Sequence, residues 1–258
     1  MMLMYEKEAR IATITLNRPQ VMNAISLELA HELTAAWTAF QKDPDLVVLI
    51  LTGKGEEAFC VGADLKERSR QGRDIHVSSF WQDSLNLPMR ATDGYKPVIG
   101  AINGHCLAGG LELALLCDIR IASEQATFGQ PEINWGIFPG MGATQRLPRV
   151  LPYNLAAELL FVGDRIDARR ALEIGLVNRV VPPGALMEEA RALATRISQK
   201  GPLALRAVKE SLLRSYDLPL SQGLRLEALL RRMIGDTEDA LEGLKAFQEK
   251  RPPRFKGR

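Results

Sequence analysis

The chain has 258 residues, long enough for one large domain or for one domain with a helical annex. Hydrophobic residues make up 46% of it and charged residues 25%, a composition typical of a globular protein with an ample core. The 33 basic and 31 acidic residues give a net charge of +2, so the overall charge indicates neither nucleic-acid binding nor attachment to an anionic membrane.

The cysteines and the N-terminus indicate the compartment. Cys60, Cys106 and Cys117 lie in apolar settings without the spacing of a metal site, which favours reduced, buried thiols. Charged residues follow Met1 too soon for a signal peptide. The longest stretch without charge, residues 98–111, is too short to span a membrane. We therefore expect a soluble, cytoplasmic protein.

The first fifty residues predict a strand, a helix and a second strand. Residues 11–16 alternate apolar and polar side chains, as a half-buried strand does. Ser26 is predicted to cap a helix whose apolar face is formed by Leu27, Leu29, Ala30, Leu33, Ala36, Trp37 and Phe40. Residues 46–51 form a continuous apolar run, typical of a strand that is covered on both sides.

The middle of the chain alternates in the same way. Residues 66–93 are polar and loosely patterned, which favours helix with a mobile loop. Residues 97–103 predict a buried strand, followed by a glycine turn and a helix, and residues 118–122 and 126–128 predict short strands. This succession predicts an α/β fold with parallel strands.

Beyond about Gly142 the pattern becomes helical. Residues 186–197, 203–216 and 220–234 carry helical periodicity, and residues 177–181 predict one short strand. We expect a core over residues 1–195 and a C-terminal helical region over residues 196–258 that serves oligomer packing.

Two glycine-containing turns could bind an oxygen atom. Gly109 and Gly110 permit positive φ and close approach of a ligand, and the helix that follows them carries Glu112 in its first turn. The second turn contains Gly62 and Ala63. Two such turns can direct two backbone N–H groups at one oxygen, an oxyanion hole worth about 3 kcal/mol per donor. The alternatives are a glycine turn needed only for packing and, at Asp64, a simple helix cap.

A second acid, Glu132, follows Pro131 and precedes an apolar, aromatic run. Burial there would raise its carboxyl pKa and let it hold a proton near neutral pH, whereas the alternative is an ordinary surface acid. The turn at residues 139–142 lacks the Gly-Lys-Ser/Thr of a phosphate loop. Two carboxyl groups beside free amides predict proton transfer next to a polarised carbonyl.

These segments belong to a longer ordered series of motifs. The series comprises Leu16-Asn-Arg-Pro, Phe59-x-x-Gly-Ala-Asp, Asn103-Gly-x-x-x-x-Gly-Gly-x-Glu-Leu, Cys117-Asp-Ile, Phe128-Gly-x-Pro-Glu, Pro139-Gly-x-Gly-x-Thr-Gln-Arg-Leu, Gly175-Leu-Val and Ala246-Phe-x-Glu-Lys-Arg-x-x-x-Phe-Lys. With them the chain resembles the enoyl-CoA hydratase/isomerase (crotonase) family over essentially its whole length.

The resemblance implies a fold and a reaction. It implies a spiral crotonase core of repeated ββα units, with C-terminal helices that pack trimers, usually paired into hexamers. It also implies coenzyme A thioesters as substrates, with no metal and no other cofactor. The amides of Ala63 and Gly109 would form the oxyanion hole. Glu112 would activate water for attack at Cβ, and Glu132 would deliver a proton to Cα.

The resemblance also implies a set of substrate-binding residues: Ala24, Ala63, Asp64, Leu65, Trp135, Phe138, Gly140 and Lys250. Of these, Lys250 would lie against the coenzyme A phosphates, possibly those of a neighbouring subunit. The acyl group would be selected by residues 68–89 together with Trp135, Phe138 and Met141.

Departures from the family pattern keep other functions open. Ala108 replaces the first of three glycines that the family often shows. The stretch 132–137 also resembles hydroxycinnamoyl-CoA hydratase-lyases, which lack the first glutamate, so Glu112 favours hydration over carbon–carbon cleavage. The alternatives are a double-bond isomerase, another acyl-CoA lyase of the same family, and a non-catalytic or RNA-binding member.

Overall fold

The computed structural model describes residues 1–70 and 94–258, without the side chains of residues 68–70. Within those ranges it has ten strands: Leu3–Glu8 (β1), Ile11–Leu16 (β2), Val48–Gly53 (β3), Ala58–Cys60 (β4), Val98–Ile102 (β5), His105–Leu107 (β6), Ile119–Ser123 (β7), Thr127–Gly129 (β8), Ile166–Asp167 (β9) and Arg179–Val181 (β10).

The same ranges contain ten α-helices: Leu27–Lys42 (α1), Leu65–Arg70 (α2), Gly109–Ala114 (α3), Ala143–Val150 (α4), Tyr153–Val162 (α5), Ala168–Glu173 (α6), Leu186–Ser198 (α7), Pro202–Arg214 (α8), Leu220–Gly235 (α9) and Glu238–Gln248 (α10). A short 3₁₀-helix, Pro131–Trp135, follows β8. Of the stretch 66–93 that was predicted to be helical with a mobile loop, α2 supplies the helical start and residues 71–93 lie outside the described residues.

The strands form two sheets, and the chain alternates between them. The larger has the order β1-β2-β3-β5-β7-β10 and the smaller β4-β6-β8-β9. The pairs from β2 to β10 in the larger sheet, and the pairs β4–β6 and β6–β8, are parallel. The chain passes from β3 to β4, β5 to β6 and β7 to β8, so each passage puts one strand into each sheet. This is the spiral of ββα units that the resemblance implies, and the predicted α/β class is confirmed.

Helix α1 covers the sheet as its pattern predicts, with one exception. The Ser26 side chain accepts a hydrogen bond from the Leu29 amide at 3.1 Å, which confirms the predicted cap. The other predicted apolar residues of the helix are buried, but Leu27 is 42% exposed. Leu27 is the first helical residue, and at 100° per residue it lies outside the arc that the buried residues share.

The C-terminal part of the described chain confirms the three predicted helices and also contains α5, α6, α10 and strand β9, which were not predicted. Helices α7, α8 and α9 match the three predicted periodic segments within two residues at each end. Strand β9 was missed, because its two residues are too few to carry an alternating pattern. Lys209 joins α8 to the core by donating to Asp118 at 2.8 Å and to the backbone oxygen of Lys96 at 2.8 Å.

Helices α8 to α10 and the turn between α8 and α9 expose large apolar side chains: Val208, Leu212, Leu213, Tyr216, Leu220, Leu224, Leu229, Met233, Leu241, Leu244 and Phe247. On α10 the exposed positions 241, 244 and 247 recur every three residues, so they share one side of the helix. In residues 1–70 and 94–258 no helix combines the length and the apolar character that crossing a membrane requires.

Candidate active site

In the described part of the chain, the turn after β4 leaves the Ala63 backbone amide without a hydrogen-bond acceptor. Ile25 donates to the Gly62 oxygen at 2.7 Å, and Asp64 donates to the Ile25 oxygen at 2.9 Å. These hydrogen bonds hold Gly62 and Asp64, the neighbours of Ala63, against Ile25. Gly62 has a φ of +89°. Among the described residues none accepts a hydrogen bond from the Ala63 N–H. The turn therefore holds a rigid, available donor.

The turn before α3 is built differently from the sequence prediction. The left-handed residue is Ala108, with φ +52° and ψ −129°, and not Gly109 or Gly110. Gly110 is required by close approach, since a Cβ there would lie 2.0 Å from the Cys60 oxygen. Within the described chain the Gly109 N–H donates to nothing.

The two turns touch each other. A Cβ added to Gly62 would lie 2.9 Å from the Gly109 nitrogen, and a Cβ added to Gly109 would lie 3.9 Å from the Ala63 nitrogen. Both available amides therefore border the same small space. Two available amides that lie close together are one condition that an oxyanion hole must meet.

Asp64 and Ala24 support the first turn. Asp64 accepts from the Glu67 amide at 3.2 Å and thereby caps α2, as the simpler alternative predicted. Arg18 pairs with Asp64 at 3.0 Å and donates to the Ala24 oxygen at 2.5 Å. The structure thus places Ala24, Asp64 and the exposed Leu65 around Ala63.

Glu112 is buried beside these turns. Its side chain is 2% exposed, and Oε1 accepts from the amides of Met141 at 2.7 Å and Ala143 at 3.0 Å. Burial raises the carboxyl pKa, and the hydrogen bonds and the positive charge of Arg146 oppose that rise. The two hydrogen bonds therefore fix the orientation of the carboxyl group.

Glu132 lies in the 3₁₀-helix after β8 and is half-buried. Burial raises its pKa to about 7, and the charge of nearby Glu112 adds to the rise. The two predicted acids are therefore near enough for the charge of Glu112 to act on Glu132. Burial is the main cause of the raised pKa of both.

The remaining predicted residues differ in how they are placed. Trp135 is 74% and Phe138 72% exposed in the single chain, although both belong to the segment that carries Glu132. Gly140 precedes the loop that bonds to Glu112. Lys250 is exposed in the turn after α10, and no hydrogen bond or ion pair of the described residues joins it to this site. Of residues 68–89, residues 71–89 lie outside the described part.

A cavity of about 870 Å³ opens beside the loop that holds Glu112. Its lining includes Phe138, Gly140 and Met141 on one side and Leu212 and Leu213 of α8 on another. In residues 1–70 and 94–258 no group of three His, Cys, Asp or Glu side chains is arranged to hold a metal ion.

Sequence reasoning missed one residue of the site. Gln130 is fully buried, with one end of its side-chain amide at the Glu132 carboxyl and the other 3.4 Å from the Ala108 backbone oxygen, so that its nitrogen can donate to only one of the two at a time. The available signal was its position two residues before Glu132, in a strand end that faces the glycine turn.

Comparison with protein families agrees with this geometry. The family model described as Enoyl-CoA hydratase/isomerase matches residues 6–258. The match includes both turns, both acids and the C-terminal helices.

Individual relatives are similar over their full length. The chain is 40% identical to (E)-benzylidenesuccinyl-CoA hydratase of Thauera aromatica, with 98% of each chain covered. It is also 40% identical to crotonyl-CoA hydratase of Syntrophomonas wolfei, covering 98% of this chain and 97% of the relative. A crystal structure of enoyl-CoA hydratase from Bacillus anthracis superposes with a TM-score of 0.92 at 40% identity and covers all of both chains.

Proposed function

Because the chain belongs to the enoyl-CoA hydratase/isomerase family, we propose that it adds water reversibly to a 2-enoyl-CoA and gives a 3-hydroxyacyl-CoA. It is an enzyme of a family whose named hydratases are hydro-lyases. The observation that carries the proposal is the meeting of two available amides, at Ala63 and Gly109, with the carboxyl groups of Glu112 and Glu132.

The amides would act on the thioester oxygen. Attack on Cβ moves electron density to that oxygen, and the N–H groups of Ala63 and Gly109 would stabilise the enolate that forms. Because Gly62 and Gly110 hold both amides in place before substrate binds, the site needs little reorganisation. Each donor is worth about 3 kcal/mol in the transition state.

The two acids would divide the proton transfers. Glu112, held by the amides of Met141 and Ala143, accepts a proton from water as its oxygen attacks Cβ. Glu132, whose pKa of about 7 keeps it partly protonated at neutral pH, gives a proton to Cα as the enolate collapses. General acid–base assistance of this kind is worth roughly 10²–10⁴-fold in rate.

The acyl group would extend past Met141 toward the neighbouring cavity, whose lining includes Phe138 and Met141 but not Ala63, Gly109, Glu112 or Glu132. That cavity of about 870 Å³ has room for more than a four-carbon chain, and Leu212 and Leu213 make one wall apolar. The names of the relatives cover both a crotonyl and a benzylidenesuccinyl thioester. Rates across short, long, branched and aryl 2-enoyl-CoAs would identify the preferred acyl class.

The functional unit would be a homotrimer, or a pair of trimers. Helices α8, α9 and α10 expose many large apolar side chains, more than the singly scattered ones that are normal on a protein surface. Such a surface is suited to contacts between copies of the chain. Assembly would also allow Lys250 to meet the coenzyme A phosphates of a neighbouring subunit, since among the described residues no hydrogen bond or ion pair joins it to the acids.

The test follows the absorbance of a 2-enoyl-CoA for the wild-type enzyme and for Glu112→Gln and Glu132→Gln. We expect hydration by the wild type and a loss of roughly 10²–10⁴-fold in each variant. Full rate in either variant would disprove the paired-acid mechanism. Turnover of a 3-enoyl-CoA that survives Glu112→Ala would instead favour double-bond isomerisation, which needs no activated water.

A further inference from the structure

One peptide group connects the oxyanion turn to both acids. The peptide between Ala108 and Gly109 presents its N–H to the space beside Ala63. Its oxygen accepts from the Glu112 amide at 3.1 Å and lies 3.4 Å from the Gln130 side-chain nitrogen. A hydrogen bond to a peptide oxygen polarises the peptide and strengthens its N–H as a donor. A hydrogen bond from Gln130 to this oxygen would therefore strengthen the Gly109 N–H as a donor.

The opposite end of the same side chain meets Glu132. The Gln130 side chain is fully buried, and one end of its amide lies 2.8 Å and 3.0 Å from the two carboxyl oxygens of Glu132. The amide thus spans the gap between the proton donor and the oxyanion peptide. Since nitrogen and oxygen of an amide occupy equivalent positions after a half-turn, either atom can face Glu132.

The protonation state of Glu132 determines whether the nitrogen or the oxygen of the Gln130 amide faces it. An ionised carboxylate only accepts, so it requires the amide nitrogen at 2.8 Å and 3.0 Å, and the Ala108 oxygen then loses its side-chain donor. A protonated carboxyl group donates to the amide oxygen, and the nitrogen then faces the Ala108 oxygen at 3.4 Å. That second contact is long and would have to shorten to act as a full hydrogen bond.

We propose that Gln130 is a positioning residue that couples the protonation of Glu132 to the strength of the Gly109 oxyanion donor. In the state that begins hydration, Glu132 carries its proton, the Gln130 nitrogen faces Ala108, and the Gly109 N–H is at its strongest. Once the proton has moved to Cα, the amide turns to the carboxylate and the donor weakens as the thioester carbonyl re-forms. The coupling rests on the proposed function, because it presupposes a thioester oxygen at this amide.

The groups that act on Glu132 are few. Among the described residues, Glu112 is the charged side chain whose charge shifts the Glu132 pKa, and Arg146 acts in turn on Glu112. Helix α5 packs against the 3₁₀-helix and carries Tyr153 and Glu158, which do not contribute to the shift. The ionisation near pH 7 is therefore assigned to Glu132 with Glu112 as its coupled partner.

The test measures the carbonyl stretch of bound butyryl-CoA labelled with ¹³C at the thioester carbon, by infrared difference spectroscopy from pH 5.5 to 8.5. Butyryl-CoA has no double bond, so it reports donor strength without turnover. We expect the shift to lower frequency to be larger on the acidic side of the Glu132 transition. The pH-dependent part should be lost in Gln130→Met and in Glu132→Gln, and retained in Gln125→Met, which changes an exposed glutamine.

Hydration kinetics provide the second measurement. Gln130→Met should lower kcat about tenfold and change KM by less than about twofold, since the lost donor acts in the transition state. A pH-independent shift in the wild type, or an unchanged pH dependence in Gln130→Met, would overturn the coupling. If Gln130→Met does not fold, the comparison of wild type with Glu132→Gln decides alone. Absence of any carbonyl shift in the wild type would instead contradict the oxyanion hole and the proposed function.

Discussion

At the scale of single residues, the proposed site depends on two acids, the buried Glu112 and the half-buried Glu132. Burial raises the pKa of both carboxyl groups, and the charge of Glu112 raises that of Glu132 further. In the proposed mechanism, hydration would start with the proton on Glu132 and end with a proton on Glu112, so the active form in both directions would carry one proton on the pair. One carboxyl group can then act as the acid while the other acts as the base, in either direction.

The first prediction concerns pH. We expect a bell-shaped profile of kcat/KM, because a second proton inactivates the pair at low pH and loss of the shared proton inactivates it at high pH. The alkaline limb should fall through about pH 7, where Glu132 ionises. Since water addition has no net proton change, hydration and dehydration should show the same two limbs. A flat profile between pH 5 and 9 would contradict the shared proton.

The second prediction concerns stability. The folded protein holds the pKa of Glu132 at about 7, above the ordinary value of 4.5. Stability is therefore lost as pH rises from about 4.5 through 7, because the unfolded chain ionises this group more readily. Glu132→Gln should raise the free energy of unfolding by about 1–2 kcal/mol at pH 8, allowing for partial exposure, and by much less at pH 4.5. Urea titrations at both pH values test this, with exposed Glu124→Gln as the control.

At the scale of elements, the contact between β4 and the start of α3 positions both available amides. A Cβ at Gly110 would meet the Cys60 oxygen at 2.0 Å, and backbone on both sides prevents adjustment. The strained φ of +52° at Ala108 is held by the Ala108 N–H donating to the Gly129 oxygen at 3.0 Å. The turn therefore depends on three neighbouring strands.

The third prediction is that Gly110→Ala separates the two turns. We expect a loss of more than about 3 kcal/mol in the free energy of unfolding, and little hydratase activity in any protein that folds. Gly243→Ala in α10 is the matched control, since its added Cβ would lie 3.6 Å from Phe255, an ordinary contact. Wild-type activity in Gly110→Ala would show that the contact between the turns is unnecessary.

Elements with regular patterns could be predicted from the sequence, and those that depend on distant contacts could not. Strand β2 and the cap at Ser26 follow directly from local alternation and hydrogen bonding. The positive φ at Ala108 could not be inferred, because it results from pairing with Gly129. The position of Gln130 beside Ala108 could not be predicted either, because only the fold brings the end of β8 against the turn before α3.

At the scale of the whole molecule, the C-terminal helices differ from the core in what they expose. The core buries its apolar side chains between the two sheets and α1, whereas α8 to α10 leave large ones on the surface. Burial of such surface contributes about 25 cal/mol per Å², which favours association of several copies. The domain division at residue 195 stays a prediction.

The fourth prediction is that this surface mediates assembly. The wild-type mass in solution should be three or six times 28.5 kDa. Leu244→Glu, on the exposed side of α10, should reduce it, because a charge placed in an apolar contact is strongly unfavourable. Leu172→Glu on α6, where the leucine is 43% exposed, serves as the control. Light scattering decides, and a monomeric wild type would contradict the proposed assembly.

The central claim is that Glu132 exchanges a proton with Cα of an enolate whose oxygen is held by the Ala63 and Gly109 amides. Incubation of butyryl-CoA with the enzyme in D₂O tests it, since NMR follows deuterium at Cα without water addition. The account predicts exchange by the wild type and by Glu112→Gln, and none above background by Glu132→Gln. Exchange that persists in Glu132→Gln, or that is abolished only in Glu112→Gln, would contradict it.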